Sequence, residues 1–287
     1  MRTLLIGDIH PEAEKLLRQN TQLTKIKRED FPEFTDSKNN DKKIESIVLR
    51  TFTQLTAKEL DKFTVLRYVV SCSTGLNNLD LDEIKKRNIQ LIHFPGANAN
   101  GVAEHILFFI LSLMRKISDD EFIELKGKTI GIIGFGAIGK LVAKKLLGFE
   151  ADVIAFDVIE QDQKLIDELS VTMKSFDEVV RESDILTVQV PLNKYTQHLI
   201  NADVFTKMKQ GSSFVSIARP EVADENTLLN YYNSGKFKAI ALDDCTEKLD
   251  QIKGQKNVLI TNHIAGKGDN SFREMCLQPV KKLIELI

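Results

Sequence analysis

Between Thr129 and Asp157 the chain reads as strand, glycine turn, helix, strand and acid, and this unit restricts the fold more than any other stretch. Thr129 to Ile133 is a short apolar run of the kind buried in a parallel sheet, and Gly134, Gly136 and Gly139 follow it in G-x-G-x-x-G spacing. Lys140 to Leu147 reads as the helix opened by that turn. Val153 to Phe156 reads as a second buried strand ending at Asp157, 18 residues past Gly139. The three glycines do different things. Gly134 permits the tight turn, Gly136 lets backbone approach a pyrophosphate, and Gly139 lets the helix pack close to the strand. The helix start, Ala137 and Ile138, offers free N–H groups and the positive dipole end to phosphates. An acid at the end of the second strand accepts hydrogen bonds from an adenosine ribose. Val158, Ile159, Glu160, Gln161 and Asp162 include no Arg or Lys to meet a 2′-phosphate, so the expected cofactor is NAD. NADP-linked reduction of a different carbonyl substrate is the reading this leaves open.

The same alternation runs along the rest of the chain. Strands are expected at 3–7, 46–50, 65–71, 89–94, 171–173, 185–190, 213–217, 239–242 and 258–261. Helices are expected at 11–20, after the capping-box residue Thr56, and at 81–87, 161–169, 176–182, 201–209, 225–233 and 271–287. The polar stretch 30–41, with Pro32, reads as loop. Val102 to Ile117 is apolar on nearly every face, so it is expected to be buried between domains or subunits. Strands alternating with helices imply an α/β chain with parallel sheets covered on both faces. Polar residues then stand just past strand C-termini, at Arg50, Ser71–Gly75, Asp157, Arg219, Asp243 and His263, the edge where open α/β sheets bind ligands.

With 287 residues there is room for two domains, each with its own core. A net charge of −2 gives no reason to expect nucleic acid or an anionic membrane as partner. The short clusters Lys25-Ile-Lys27-Arg28 and Lys85-Lys86-Arg87 are read as solvated faces. Cys72, Cys245 and Cys276 are odd in number and far apart, matching neither a disulfide framework nor a metal site. No signal-peptide pattern precedes the first strand, and Ile106 to Met114 is too short to span a bilayer. The expectation is a soluble cytoplasmic protein without metal.

At this point several segments, taken in order, resemble the NAD-dependent D-isomer-specific 2-hydroxyacid dehydrogenases, the family of phosphoglycerate dehydrogenases and glyoxylate or hydroxypyruvate reductases. They are Thr74 to Asp80, Pro95 to His105, Gly134 to Gly139 with Asp157, and Val190-Pro191-Leu192 with Thr196 and Leu199-Ile200. Ser216 to Arg219 with Val222 to Asn226, Ala241 to Asp243 and Asn262 to Gly266 complete the set. The resemblance covers nearly the whole chain. It implies two doubly wound parallel-sheet domains, a Rossmann NAD-binding domain (98–267) inserted in a flavodoxin-like substrate domain (1–97 with 268–287). It also implies a homodimer through the Val102–Ile117 helix and hydride transfer between NAD(H) and a small D-2-hydroxy or 2-keto acid.

Carried over residue by residue, the catalytic roles fall on Arg219, which binds the substrate carboxylate, and His263, which exchanges a proton with the keto oxygen. A guanidinium suits a carboxylate and an imidazole changes charge near neutrality, so the chemistry is sensible by itself. The cofactor side takes Gly134, Gly136, Ala137, Ile138, Gly139, Asp157, Val190, Pro191, Thr196, Ala218 and Asp243. The substrate side takes Arg50, Ser73, Thr74 and Gly75. The glutamate that the family pairs with its histidine falls, counting from Asp243, on Lys248; Glu247, one residue earlier, is the expected substitute. Pro220 stands where a glycine usually follows the arginine, and the segment 118–126 is short for the family's dimer-clasping arm. Lys248 and Pro220 motivate an alternative reading, a dinucleotide-binding sensor or corepressor-like regulator that has lost catalysis. The remaining histidines, His10, His93, His105 and His198, are read as structural, with His105 paired to Glu104.

Overall fold

Runs of Val, Ile and Leu buried on both faces are what parallel strands need, because helices cover them above and below. Every strand pair among the described residues is parallel. The computed structural model describes residues 1–36, 43–116 and 122–287, with only the backbone at Lys116. The chain forms two units, Met1–Asn98 with Lys267–Ile287, and Ala99–Gly266.

The smaller unit begins with β1 (Arg2–Ile6), α1 (Pro11–Asn20), β2 (Gln22–Ile26), α2 (Phe31–Asp36), β3 (Ser46–Leu49), α3 (Ala57–Leu60), β4 (Tyr68–Ser71), α4 (Leu81–Lys86) and β5 (Gln90–Ile92). Its sheet runs β2-β1-β3-β4-β5, so the winding reverses between β1 and β3. Side chains alternate along each strand. Leu4, Ile47 and Val69 enter the core shared with Phe31, Leu60 and Ile84, while Leu5, Val48 and Val70 enter the one shared with Ala13 and Leu17.

Two elements of this unit depart from expectation. β2 has no fully buried residue, because it is the edge strand, so it lacks the apolar signal of the others. The expected loop at 30–41 contains α2, with Pro32 in its first turn, where the missing N–H costs no intrahelical bond; residues 37–41 lie outside the described residues.

The larger unit comprises α5 (Ala99–Lys116), β6 (Thr129–Ile133), α6 (Ala137–Leu146), β7 (Asp152–Phe156), α7 (Gln163–Glu168), β8 (Val171–Met173), α8 (Phe176–Glu182), β9 (Ile185–Val188), α9 (Ala202–Lys207), β10 (Ser212–Ser216), α10 (Glu225–Asn233), β11 (Phe237–Leu242), α11 (Glu247–Asp250) and β12 (Val258–Ile260). Strand order is β12-β11-β10-β9-β6-β7-β8, with the reversal between β6 and β9. These are the two doubly wound sheets of the expected α/β fold. α12 (Asp269–Glu285) then closes the smaller unit, placing Cys276, Leu277, Val280 and Leu283 against the α1 side of its sheet.

α5 packs within its own unit. Ala103, Ile106, Phe109, Ile110 and Leu113 join Ile130, Val142 and Ala143 in one core. Phe108, on another face, stays 49% exposed. The last residue of the expected helix, Ile117, lies outside the described residues.

Candidate active site

The end of β6 feeds the glycine turn, and the backbone there does what the spacing requires. Gly134 has φ +96°, and a Cβ on it would press on Val190 Cγ1 at 2.9 Å. A Cβ on Gly139 would overlap the Gly134 carbonyl oxygen, so only glycine lets α6 sit this close to β6. A Cβ on Gly136 would meet nothing within 4 Å, which leaves open space beside the turn. Gly136 caps α6 without a side-chain hydrogen bond. The N–H groups of Ala137, Ile138 and Gly139, the first helical turn, have no acceptor among the described residues.

Asp157, past β7, holds the turn from the side. Its Oδ2 accepts from Phe135 N at 2.7 Å and its Oδ1 from Ile159 N at 2.9 Å. Each oxygen keeps a lone pair for a further donor. Val158 and Ile159 beside it are 88% and 70% exposed, and no Arg or Lys stands among the five residues that follow Asp157. An open glycine cradle, free first-turn amides and a carboxylate without an ion pair among the described residues fit the diphosphate and ribose of NAD.

One residue of this turn escaped the sequence reading. Gln189 follows β9, which ends at Val188 and not at 190 as expected. Its Nε2 donates to Ile133 O at 3.0 Å and Gly134 O at 3.1 Å, and its Oε1 is buried without a hydrogen-bond partner. The signal was a lone amide inside the apolar run Ile185–Val190. Beyond it the Val190–Thr196 loop fastens itself, with Thr196 Oγ1 donating to Pro191 O at 2.6 Å and accepting from Asn193 N at 2.8 Å.

Ala218 and Arg219 follow β10. Ala218 is buried and donates its N–H to Ser216 Oγ at 3.3 Å. Arg219 is half-buried and meets no carboxylate among the described residues. Pro220 opens a 3₁₀ turn, Pro220–Val222, where its fixed φ suits and no N–H is needed. The residue before a proline is pushed to extended backbone, and Arg219 has φ −79° and ψ 152°. The turn is closed by Val222 N to Arg219 O at 3.0 Å. Pro220 thus fixes the stem of Arg219 and does not disrupt it.

Asp243, past β11, is 3% exposed and spends both oxygens on the protein. Oδ1 accepts from Thr261 Oγ1 at 2.6 Å and Ile264 N at 2.8 Å, and Oδ2 accepts from Ala265 N at 2.8 Å. It therefore clamps the loop after β12 that carries His263. Sequence reading put it on the cofactor side. His105, expected beside Glu104, instead shares a 3.1 Å hydrogen bond with Thr261 Oγ1 and packs edge-on to Phe109 at 4.4 Å. Burial pushes its imidazole below the ordinary histidine range, against the smaller opposing pull of the Asp243 charge. Glu104 pairs with Lys145 and Asn100.

His263 has φ +51° and a half-exposed side chain, and Asp244 has φ +138°. These unusual backbones face Nδ1 of the ring to Asp244 Oδ2 at 2.9 Å. The carboxylate on His263 is thus Asp244, not Glu247. Glu247 stands exposed at the first position of α11, whose cap, Thr246, is tied to Glu225. Counting along the loop missed Asp244 because the turn brings in a residue three positions earlier.

In the smaller unit, Arg50 follows β3, and its guanidinium lies 4.8 Å from the Phe272 ring. Ser73 is buried and its Oγ accepts from Thr51 N at 2.8 Å. Thr74 Oγ1 contacts Met275 Sδ at 3.4 Å, and Gly75 is open on its Cβ side. The N–H groups of Ser73, Thr74 and Gly75 have no acceptor among the described residues. No group of metal-ligating side chains occurs among the described residues, and none of their helices is long and apolar enough to cross a membrane.

Comparison with known proteins gives the following. Residues 112–265 match the family described as D-isomer specific 2-hydroxyacid dehydrogenase, NAD binding domain. A hydroxypyruvate reductase of Thermotoga maritima is 31% identical over 262 residues, covering 84% of each chain. A D-3-phosphoglycerate dehydrogenase of Archaeoglobus fulgidus is 30% identical over 287 residues, 92% of this chain but 53% of that protein, so this chain spans about half its length. The crystal structure of a D-lactate dehydrogenase from Aquifex aeolicus, complexed with NAD and lactic acid, superposes with a TM-score of 0.80 at 28% identity, covering 98% of this chain and 94% of that one.

Proposed function

The chain belongs to the D-isomer-specific 2-hydroxyacid dehydrogenases, NAD-dependent oxidoreductases, and on that premise we propose that Arg219, His263 and Asp244 carry its hydride-transfer chemistry on a small 2-keto or D-2-hydroxy acid. The observation that carries this reading is the His263 Nδ1 to Asp244 Oδ2 bond of 2.9 Å. A carboxylate accepts only from a protonated nitrogen, so Asp244 fixes the proton on Nδ1 and leaves Nε2 as the exchanging atom. Nε2 gives its proton to the keto oxygen in reduction and takes it from the hydroxyl in oxidation. Arg219, with no carboxylate of its own, pairs bidentately with the substrate carboxylate and draws electron density from the neighbouring carbonyl. Bound NAD supplies the nicotinamide carbon that gives or accepts the hydride. Gly134, Gly136, Ala137, Ile138 and Gly139 take its diphosphate and Asp157 its ribose, and Val190, Pro191, Thr196 and Ala218 complete the proposed cofactor-side set. Asp243 positions the His263 loop.

Arg50 and the free amides of Ser73, Thr74 and Gly75 are the proposed substrate-binding groups of the smaller unit. The two departures that suggested a sensor lose their force, since Asp244 occupies the ring nitrogen and Pro220 fits its turn. Three free cysteines support a reducing, cytoplasmic setting, and the exposed Phe108 on α5 supports a homodimer there. The test is NADH oxidation, followed by absorbance, with glyoxylate, hydroxypyruvate and phosphohydroxypyruvate. Arg219→Ala is expected to lose nearly all turnover and keep NADH affinity; loss of both together makes Arg219 structural and sinks the assignment.

A further inference from the structure

Gly134 gives the turn after β6 its freedom, and that freedom needs a restraint. With φ +96° and no Cβ, Gly134 leaves the peptide joining it to Phe135 free to rotate, because no side chain opposes the motion. The sheet does not hold this peptide either. β6 pairs with β9 only as far as Ile133 and Val188, and with β7 only as far as Ile133 and Phe156. Two side chains hold it instead, one at each end. The Gly134 carbonyl accepts from Gln189 Nε2 at 3.1 Å, and the Phe135 N–H donates to Asp157 Oδ2 at 2.7 Å. Gln189 is itself anchored, since its backbone N–H and its Nε2 both donate to Ile133 O, at 3.1 and 3.0 Å. A flipped peptide would lose both side-chain partners and turn its carbonyl oxygen toward the Asp157 carboxylate. The next N–H groups along the chain, from Gly136 into the first turn of α6, start from this plane and have no acceptor among the described residues.

The amide is kept at a cost. Gln189 is 9% exposed, and its Oε1 is buried without a hydrogen-bond partner. The opposite amide orientation is worse, because it sets Oε1 against two carbonyl oxygens. An apolar side chain of the same length would exchange one orphaned oxygen for another, Gly134 O, while Ile133 O keeps the backbone N–H of residue 189. The count of satisfied groups therefore does not favour glutamine. What glutamine adds is direction, a fixed donor on one side of a peptide whose other side is held by Asp157.

We propose that Gln189 is a positioning residue for cofactor binding: with Asp157 it fixes the Gly134–Phe135 peptide in one orientation and so presets the N–H groups of the glycine turn for a diphosphate before any ligand enters. It acts through the backbone and touches no ligand. Asp157 gains a second role beside the ribose, as the other anchor of the same peptide. The inference rests on the assignment of the glycine turn to the diphosphate of NAD made above.

The experiment uses the full chain and needs no turnover. Gln189→Met keeps the length of the side chain and removes the donor. In native-state hydrogen exchange without ligand, the Phe135 amide is expected to exchange at least about tenfold faster in the variant, while the amides of β6 keep their rates. NADH and ADP-ribose are expected to bind about tenfold more weakly, the worth of about one hydrogen bond, and adenosine, which lacks the diphosphate, to lose less than about twofold. The urea midpoint is expected to stay at the parent's value. Gln189→Asn, whose amide is one methylene short of Gly134 O, repeats the test if the methionine variant does not fold. Unchanged exchange at Phe135 overturns the proposal, and so does faster exchange with unchanged ADP-ribose affinity. Adenosine weakened as much as ADP-ribose, with a lowered urea midpoint, makes Gln189 a packing residue and overturns it too. A parent that binds neither NADH nor ADP-ribose sinks the cofactor assignment and the proposal with it, an outcome distinct from a parent and variant that bind equally well.

Discussion

Asp243→Asn separates a positioning carboxylate from a cofactor ligand. The side chain is 3% exposed and accepts three hydrogen bonds of 2.6 to 2.8 Å, two of them from the backbone of the His263 loop. An asparagine keeps one acceptor oxygen, which serves Thr261 and Ile264. Its NH₂ then faces Ala265 N–H, donor against donor. The loss is one charge-assisted bond, about 1.5–3 kcal/mol, plus a buried unsatisfied N–H, about 1–3 kcal/mol. Removing a buried charge returns part of this, so a destabilisation of about 2–4 kcal/mol is expected. The chain has no Trp, so unfolding in urea is best followed by far-UV circular dichroism. If the loop loosens by about an ångström, kcat falls by about a hundredfold. NADH affinity, read from NADH fluorescence, should change little. A variant as stable as the parent that has lost NADH affinity would refute the clamp and return Asp243 to the cofactor side.

Three further outcomes follow from the same geometry. Gly136→Ala meets open space and should leave stability within about 0.5 kcal/mol while cutting NADH affinity at least about tenfold, whereas Gly139→Ala drives a methyl into the Gly134 carbonyl and should cost about 1–3 kcal/mol; equal stability of the two would contradict the packing. Asp244→Ala should lower kcat by about ten- to a hundredfold and Glu247→Gln should leave it within about twofold, and the reverse ranking would restore Glu247 as the partner. His105, held below its ordinary value of 6.5 by burial, binds its proton more readily unfolded than folded. Its contribution to stability is therefore present above pH 6.5 and lost as the pH falls through the folded value, with a slope of at most about 1.4 kcal/mol per pH unit. Urea midpoints between pH 7.5 and 5.5 should flatten in His105→Gln; parallel curves would refute it.

What the sequence disclosed follows from which constraints are local. The glycine turn was legible because each glycine answers to atoms within the same β6–α6–β7 unit, and Asp157 reaches only as far as Phe135 and Ile159. Buried strands announced themselves by unbroken apolar runs, while β2, an edge strand with no buried residue, could not. The site's second layer was hidden for a different reason. His105 lies on α5 while Thr261 and Asp243 stand just past β12 and β11, and no periodicity within one element says that they meet. Asp244 was missed because a count from Asp243 assumes that the loop follows its relatives residue for residue. Left-handed backbone at His263 and positive φ at Asp244 bring a nearer carboxylate to the ring than the counted position would. A pairing that depends on two unusual backbone conformations carries no compositional trace, since neither residue is a glycine. That dependence has a consequence for the chemistry. The Asp243 clamp keeps the His263 turn in its strained form, so removing the buried carboxylate should also release the exposed Asp244 contact. The double variant Asp243→Asn with Asp244→Ala should then lose less kcat than the product of the single losses, and full multiplicativity would show that the clamp and the dyad act independently.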